Sequence, residues 1–259
     1  MMPALLDTSI AQAAADLRDR EQPFAFATIV RTAGATAAKP GTKALLDAEG
    51  EILSGWLGGG CTRAAVRKAT KDALADGSAK LISVAPEEDL AAQGVDAGTE
   101  RDGVRFARNG CPSKGTVDIF IEPCLPAPEL VVAGTSPVAE AVVRLAQSFH
   151  WDVVSSEPEA DLSPTNKHRF IVIATQGKGD LAALRTALSA DADYVAFVGS
   201  ARKFASLSKK LIEQGEEGDA LSQVRAPAGL DIGAVTPDEI ALSILAQLTQ
   251  ARRSTVKDV

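Results

Sequence analysis

"LVVAGTSPVAEAVVRLA", residues 130–146, decides the fold of the second half of this 259-residue chain. An apolar run ends at Gly134. Pro137 then stands where a helix's first turn tolerates proline, and apolar residues recur at helical spacing behind it. Strand, glycine turn and helix in that order open a parallel sheet. The pattern repeats downstream. "WDVVSSE" (151–157) reads as the next strand. "FIVIATQGKGD" (170–180) is a strand running into a glycine-rich turn, followed by the helix "LAALRTALSA". "YVAFVGS" (194–200) precedes the helix "KFASLSKKLIEQG". "TPDEIALSILAQLTQARR" (236–253) is a helix with Thr236 as cap, Pro237 at its start and Glu239 reaching back in a capping box. Alternation of strands and helices predicts a Rossmann-like, doubly wound parallel sheet, so the class is α/β.

Upstream the grammar changes. "PCLPAPE" (123–129) holds three prolines in seven residues, which predicts a linker and divides the chain into domains at 1–124 and 128–259. Leu5 to Arg20 reads as an opening helix and "FAFATIV" (24–30) as a strand. "RTAGATAAKPGTK" (31–43) is a polar turn region, and "KALLDAEGEILSGWL" (43–57) a hairpin around Asp47 to Gly50. After the glycines and Cys61 of "LGGGCTRAAVRKA" (57–69) comes a helix from about Thr62 to Asp76. "AKLISVA" and "TVDIFIEP" (116–123) read as strands, the second ended by Pro123. This is an N-terminal α+β domain.

Composition narrows the function classes. Hydrophobic residues are 46% and charged residues 24%, ordinary for a globular protein. Lys and Arg number 27 against 34 Asp and Glu, a net charge of −7, and the absent basic excess argues against a nucleic-acid partner. Arg63, Arg67, Lys68 and Lys71 still cluster, which leaves room for a local anion site. Cys61, Cys111 and Cys124 are too few for a disulfide framework. With only His150 and His168 and no CxxC pair, a structural zinc site is not expected either. The first residues carry no basic region and no sustained apolar run, and no stretch reaches membrane-spanning length. The expectation is a cytoplasmic protein with no signal peptide and no membrane span.

Five stretches can carry chemistry. Gly134, Ser136 and Ala139 occupy the three places of a GxGxxG dinucleotide turn, with serine where a glycine lets backbone approach a pyrophosphate. Either NAD(P) or FAD binds there, Ser136 offers a hydroxyl to a phosphate, or the turn is Rossmann-like without a nucleotide. "ATQGKGD" places Gln176, Lys178 and Asp180 at the ligand end of a parallel strand, and "VGSARKF" places Gly199, Ser200, Arg202 and Lys203 likewise. Together they predict a shared anion crevice, although each taken alone reads as a surface turn. Asp231 in "AGLDIGA" (228–234) either joins them or stabilises its own turn. Cys61 stands at a helix N-terminus beside Arg63, where the dipole favours the thiolate, and glycines before it free N–H groups to face an anion. A small residue packed into a tight turn is the other reading. Cys111, in "NGCPSKGTVDIFIEP" (109–123), reads as an exposed thiol unless the fold brings it to Cys61.

At these residues the chain resembles the XdhC/CoxI family, accessory proteins of molybdenum hydroxylases such as xanthine dehydrogenase and carbon monoxide dehydrogenase. "ATIVRTAGATAAKPGTKALLDAEGEILSGWLGGGCTRAAV" looks like its N-terminal domain. "CPSKGTVDIFIEP", "ATQGKGDLAALRTAL", "YVAFVGSARKFASL" and "GLDIGAVTPDEIALSIL" fit the later parts, nearer the CoxI-like branch. The resemblance implies a maturation chaperone that binds molybdenum cofactor (molybdopterin or its cytosine dinucleotide), assists its sulfuration and inserts it into a hydroxylase apoenzyme. It maps the GGGC motif onto Gly58, Gly59, Gly60 and Cys61, with Arg31 and Lys43 contributing and Cys61 contacting molybdenum or carrying sulfur. Arg63 stands where family members often have a glutamate, and Lys39 replaces the usual arginine before proline. A cysteine desulfurase and cofactor-synthesis enzymes are further implied partners, and the two-domain form is compatible with a homodimer. A crevice between the domains would hold the cofactor. A nicotinamide- or flavin-dependent oxidoreductase using the second domain is the competing expectation, and a pure interaction scaffold the third.

Overall fold

A computed structural model of the chain describes residues 8–110, 114–160, 162–165 and 167–255, with backbone alone at Cys61, Ser254 and Thr255. These fall into two compact units that meet in sequence between Pro126 and Ala127.

The first unit is built on a seven-stranded mixed sheet. Its strands are β1 (Phe24–Ala33), β2 (Lys43–Leu46), β3 (Ile52–Gly55), β4 (Lys80–Ala85), β5 (Glu100–Arg101), β6 (Val104–Arg108) and β7 (Thr116–Cys124). They are ordered β3-β2-β1-β7-β4-β6-β5, antiparallel throughout except for β4 and β6. Three helices join them: α1 (Thr8–Asp19), α2 (Arg63–Asp76) and α3 (Glu87–Ala92). Alternate residues of a strand face opposite sides, and here the alternation sorts the core. Ala25, Ala27, Ile29, Ile82, Val84, Val117 and Ile119 pack against Val66, Ala69 and Ala73 of α2. The opposite face receives Ile10 and Ala14 of α1 on Phe24 and Leu45.

Two differences from the sequence reading have plain causes. β7 continues through Pro123, which pairs with Ala25, to Cys124. Its pairing with β4 ends at Ile121, so Pro123 lies where one flank of the strand is unpaired and a missing N–H costs nothing. The stretch "PEEDLAAQGVDAGTERDGVRFAR" carries no long periodic run, yet it holds α3, β5 and β6. β6 is recruited by parallel pairing with β4, from Leu81↔Val104 to Ala85↔Arg108, and long-range pairing of that kind leaves no local periodicity.

The second unit is a four-stranded parallel sheet, ordered β11-β10-β8-β9, from β8 (Glu129–Ala133), β9 (Asp152–Ser156), β10 (Arg169–Ile173) and β11 (Tyr194–Phe197). Its helices are α4 (Pro137–Ala146), α5 (Asp180–Ser189), α6 (Ala201–Glu213), α7 (Gly218–Ser222) and α8 (Pro237–Thr255). One face of the sheet, with Leu130, Val132, Phe170 and Val172, is covered by α4 and α8. The other, with Val131, Ile171 and Ile173, is covered by α5, α6 and α7. That is a Rossmann-like, doubly wound arrangement. β8 lies between β9 and β10, so the winding direction changes at β8, and a crevice opens outside the carboxyl ends of β8 and β10.

Candidate functional site

The glycine run enters α2 through a single 3₁₀ turn, Gly60–Thr62, that carries Cys61. Gly58 has φ +104, a conformation that favours glycine, with the Ala38 methyl 3.5 Å from where its own Cβ would stand. Gly59 and Gly60 differ. Gly59 has φ −70, Gly60 has no left-handed φ, and a Cβ on either would meet no atom of the described residues within 4 Å. Nothing in the geometry of the described residues there demands glycine.

Among the described residues the helix end is also uncompensated. Thr62, the cap residue of α2, donates its hydroxyl to the Gly59 carbonyl at 3.2 Å and makes no capping bond. The first turn of α2 contains no acid, whereas Arg63 is there and exposed. The other long helices whose start is described carry a side-chain cap or an acid in the first turn. Ser136 Oγ accepts from Ala139 N–H, and Ser200 Oγ from Lys203 N–H. Asp180 begins α5, and Thr236 with Glu239 closes a capping box on α8. A cavity of about 480 Å³ lies beside the α2 turn, lined by Leu57, Gly58, Thr62, Arg63 and Arg67 among others. Arg67 is held by Glu51 at 3.1 Å and by the Glu49 carbonyl, so Arg63 supplies the cation with no ion-pair partner among the described residues. Positive helix end, free guanidinium and open backbone suit an anion.

At this end of the sheet the loop after β1 meets the segment that precedes β7. Ala35 bridges Lys114, and a Cβ on Gly34 would stand 3.5 Å from Gly115 Cα. Cys111 lies outside the described residues. Arg31 and Lys43 do not join the glycine turn. Arg31 pairs with Asp118, whose other oxygen accepts from Ser83 Oγ at 2.7 Å, and Lys43 Nζ donates to Thr28 Oγ1 at 2.8 Å. Asp118, Ser83 and Thr28 alternate with the residues packed on α2, so both cations belong to the opposite face. Cys124 is a half-buried thiol whose pKa burial pushes up.

In the second unit Gly134 has φ +112, and a Cβ there would stand 2.7 Å from the Ala174 carbonyl and 2.8 Å from Thr175 Cα. Here backbone approaching backbone demands glycine. Ser136 is only 8% exposed and its oxygen caps α4. Beside it the loop after β10 carries left-handed residues at Gln176 (φ 53), Gly177 (φ 97) and Gly179 (φ 84). Asp180 holds that loop. Its carboxylate accepts from Thr175 Oγ1 and from Gly177 N–H, and pairs with Lys203 Nζ at 2.7 Å. Burial alone would raise the Asp180 pKa, but the Lys203 ammonium, the Thr175 hydroxyl and the Gly177 N–H outweigh it and hold the carboxyl below its ordinary value. Asp180 and Lys203, both expected from the sequence at one crevice, neutralise each other. Gln176 and Lys178 remain exposed on the loop. Gly199, Ser200 and Asp231 come together in another cavity, beyond β11.

Among the described residues no cluster of three or more His, Cys, Asp or Glu is placed to hold a metal. None of their helices is long and apolar enough to cross a membrane.

Comparison with known proteins places this architecture. Residues 17–85 match the profile of the XdhC and CoxI family, and residues 130–248 match the XdhC Rossmann domain. The chain is 27% identical over 273 aligned residues to the uncharacterized protein YqeB of Escherichia coli K12, covering 93% of this chain and 46% of that protein. It is 26% identical over 162 residues to a probable xanthine dehydrogenase subunit of Bacillus subtilis, covering 53% of this chain and 47% of that protein. The chain thus spans about half the length of these curated relatives. A crystal structure of a xanthine dehydrogenase from Bacillus halodurans aligns over 94% of this chain and 95% of that one, at 18% identity and a TM-score of 0.42. The two profiles fall one in each unit, in chain order, and the chain belongs to the XdhC and CoxI family.

Proposed function

We propose that the protein is an accessory factor for a molybdenum hydroxylase of the xanthine dehydrogenase kind, and that its cargo is the molybdenum cofactor. The family membership supports the accessory role. The observation that carries the cargo is the α2 turn: among the described residues nothing in conformation or packing requires Gly59 and Gly60 to be glycine, and the helix end they lead into lacks both side-chain cap and first-turn acid. An anionic ligand brought against the backbone supplies that reason.

The residues present fit such a cargo. Backbone at Gly58, Gly59 and Gly60 with the Arg63 guanidinium would hold its anionic portion, because N–H donors at a helix start and a fixed cation act together on phosphate. Cys61, in the turn before the helix, would meet molybdenum or a transferable sulfur, for which a soft thiolate is suited. The cofactor itself supplies the redox chemistry to the hydroxylase that receives it. Insertion into the apoenzyme, and sulfur supplied by a cysteine desulfurase, belong to the same proposal.

The test is anaerobic purification with measurement of molybdenum and of oxidised pterin per chain, wild type against Cys61→Ser. Wild type is expected to carry both and the variant to lose molybdenum. Absence of both from the wild type, with no uptake on titration, would overturn the reading. Saturable NAD(P)H or FAD binding with turnover of a substrate would favour an oxidoreductase instead.

A further inference from the structure

The cavity beyond the carboxyl end of β11 has no place in the proposal above. It encloses about 620 Å³, within the range of small-molecule pockets. It also lies on the side of a parallel sheet where ligands bind. Val198, Pro227, Leu230 and Ile240 give it apolar walls. Its outer wall is held on α8: Gly229 N–H donates to Gln247 Oε1 at 2.8 Å, and Leu230 N–H to the Ser243 carbonyl at 3.2 Å. Leu230 and Ile232 nevertheless remain 38% and 52% exposed at its mouth, which is apolar surface available to a flat ligand.

The polar atoms decide what kind of ligand. Ser243 directs its hydroxyl to the Ile240 carbonyl at 2.8 Å and is taken. Ser200 Oγ accepts from Lys203 N–H, so its O–H stays free to donate. Asp231 is exposed, and one of its carboxylate oxygens accepts from Gly233 N–H at 3.4 Å, which leaves most of its lone pairs open. Among the described residues, Asp231 is the sole ionisable one lining the cavity. The nearby cation, Lys203, is paired with Asp180 at 2.7 Å and lies over the Phe197 ring. A phosphate in the cavity would meet a carboxylate and, among the described lining residues, no cation. A neutral ring with an N–H to give and a carbonyl or ring nitrogen to accept meets complementary groups at Asp231 and Ser200, on apolar walls.

We infer that this cavity binds the uncharged, amino-bearing heterocycle of a ligand, a pterin or a nucleobase, and excludes its phosphates. The juxtaposition that carries the inference is one carboxylate and one free hydroxyl in an apolar cavity whose described lining includes no cation.

Three phosphate-free probes separate the sources: pterin, cytidine and adenosine, each titrated by calorimetry into the full chain, with inorganic phosphate as competitor. At least one is expected to saturate, insensitive to phosphate and to salt. Asp231→Asn, a change at an exposed side chain, should weaken that binding about tenfold by turning an acceptor-only group into one that also presents donors. Ala234→Trp should abolish it by filling the cavity. Saturation by none of the three would overturn the inference, as would binding unchanged in Asp231→Asn, or displaced by phosphate. These probes carry no molybdenum, so failure here leaves the Cys61 reading standing, and loss of the molybdenum result leaves the cavity standing.

Discussion

The turns that lead into α2 and α4 look alike as strings, glycine-rich and running into a helix, yet the chain uses them in opposite ways. At α4 the glycine is required by the fold, because Gly134 has φ +112 and the Ala174 carbonyl would lie 2.7 Å from any Cβ. The helix end there is finished by Ser136. At α2 two of three glycines face open space, and the helix end is left without cap or acid. A glycine demanded by the fold and a glycine left free by it are different kinds of residue. Only the second leaves backbone for something else to approach.

Alanine substitution separates the two kinds of glycine. Gly134→Ala should destabilise the protein by about 3 kcal/mol, from left-handed strain plus the backbone clash. Gly60→Ala should leave stability unchanged or raise it by about 0.5 kcal/mol, since alanine fits the native backbone and restricts the unfolded chain. Denaturant unfolding measures both. If Gly60→Ala also unfolds the protein, the α2 turn is a packing feature and the cargo argument loses its support. If it is stable but carries less molybdenum, the turn is a binding feature.

The α4 side of the comparison extends to the neighbouring loop, which is closed by charge. Asp180 is 6% exposed and paired with Lys203. Its carboxyl is held below the ordinary 3.8. A depressed folded pKa contributes stability that is present above the unfolded value and is lost as pH falls through the folded one. Asp180→Asn keeps an acceptor for Thr175 and Gly177 but loses the ammonium, and should cost about 2 kcal/mol at neutral pH. The gap between variant and wild type should begin to narrow below about pH 4 and vanish only below the depressed folded pKa, where both carry a neutral group. A gap that persisted in acid would mean that shape, rather than the ion pair, holds the loop.

Much of this architecture is readable in the string because it is local. Each β–turn–helix unit of the second half writes its own period, and Pro137, Ser136 and the Thr236–Glu239 box mark the helix starts by chemistry that acts within four residues. What escapes reading is long-range. β6 exists by pairing with β4, and nothing in "GVRFAR" alone separates it from loop. Arg31 and Lys43 look like neighbours of the glycine turn in sequence. The alternation of β1 and β2 puts them on the far face, where Asp118 and Thr28 engage them. Lys203 looks like an anion ligand until Asp180, twenty-three positions earlier, is seen to neutralise it. In each case the residue type was legible and its partner was not, because partners are chosen by register and winding.

The smallest change in stability is expected at the start of α2. Ala64 is exposed, in the first turn of α2, and lines the cavity beside the glycine turn. Ala64→Glu supplies the acid that this turn lacks. The helix dipole should make the change stabilising by about 0.5 kcal/mol, read as a small rise in the denaturation midpoint that salt diminishes. The same carboxylate occupies the anion's place and sets a negative charge near Arg63, so molybdenum carried per chain should fall although the protein is more stable. Stability and cargo moving in opposite directions is the pattern expected of a helix end reserved for a ligand. If both rose together, or if cargo were indifferent to the new charge, the anion would have to be bound elsewhere, and the bare start of α2 would be an ordinary surface feature.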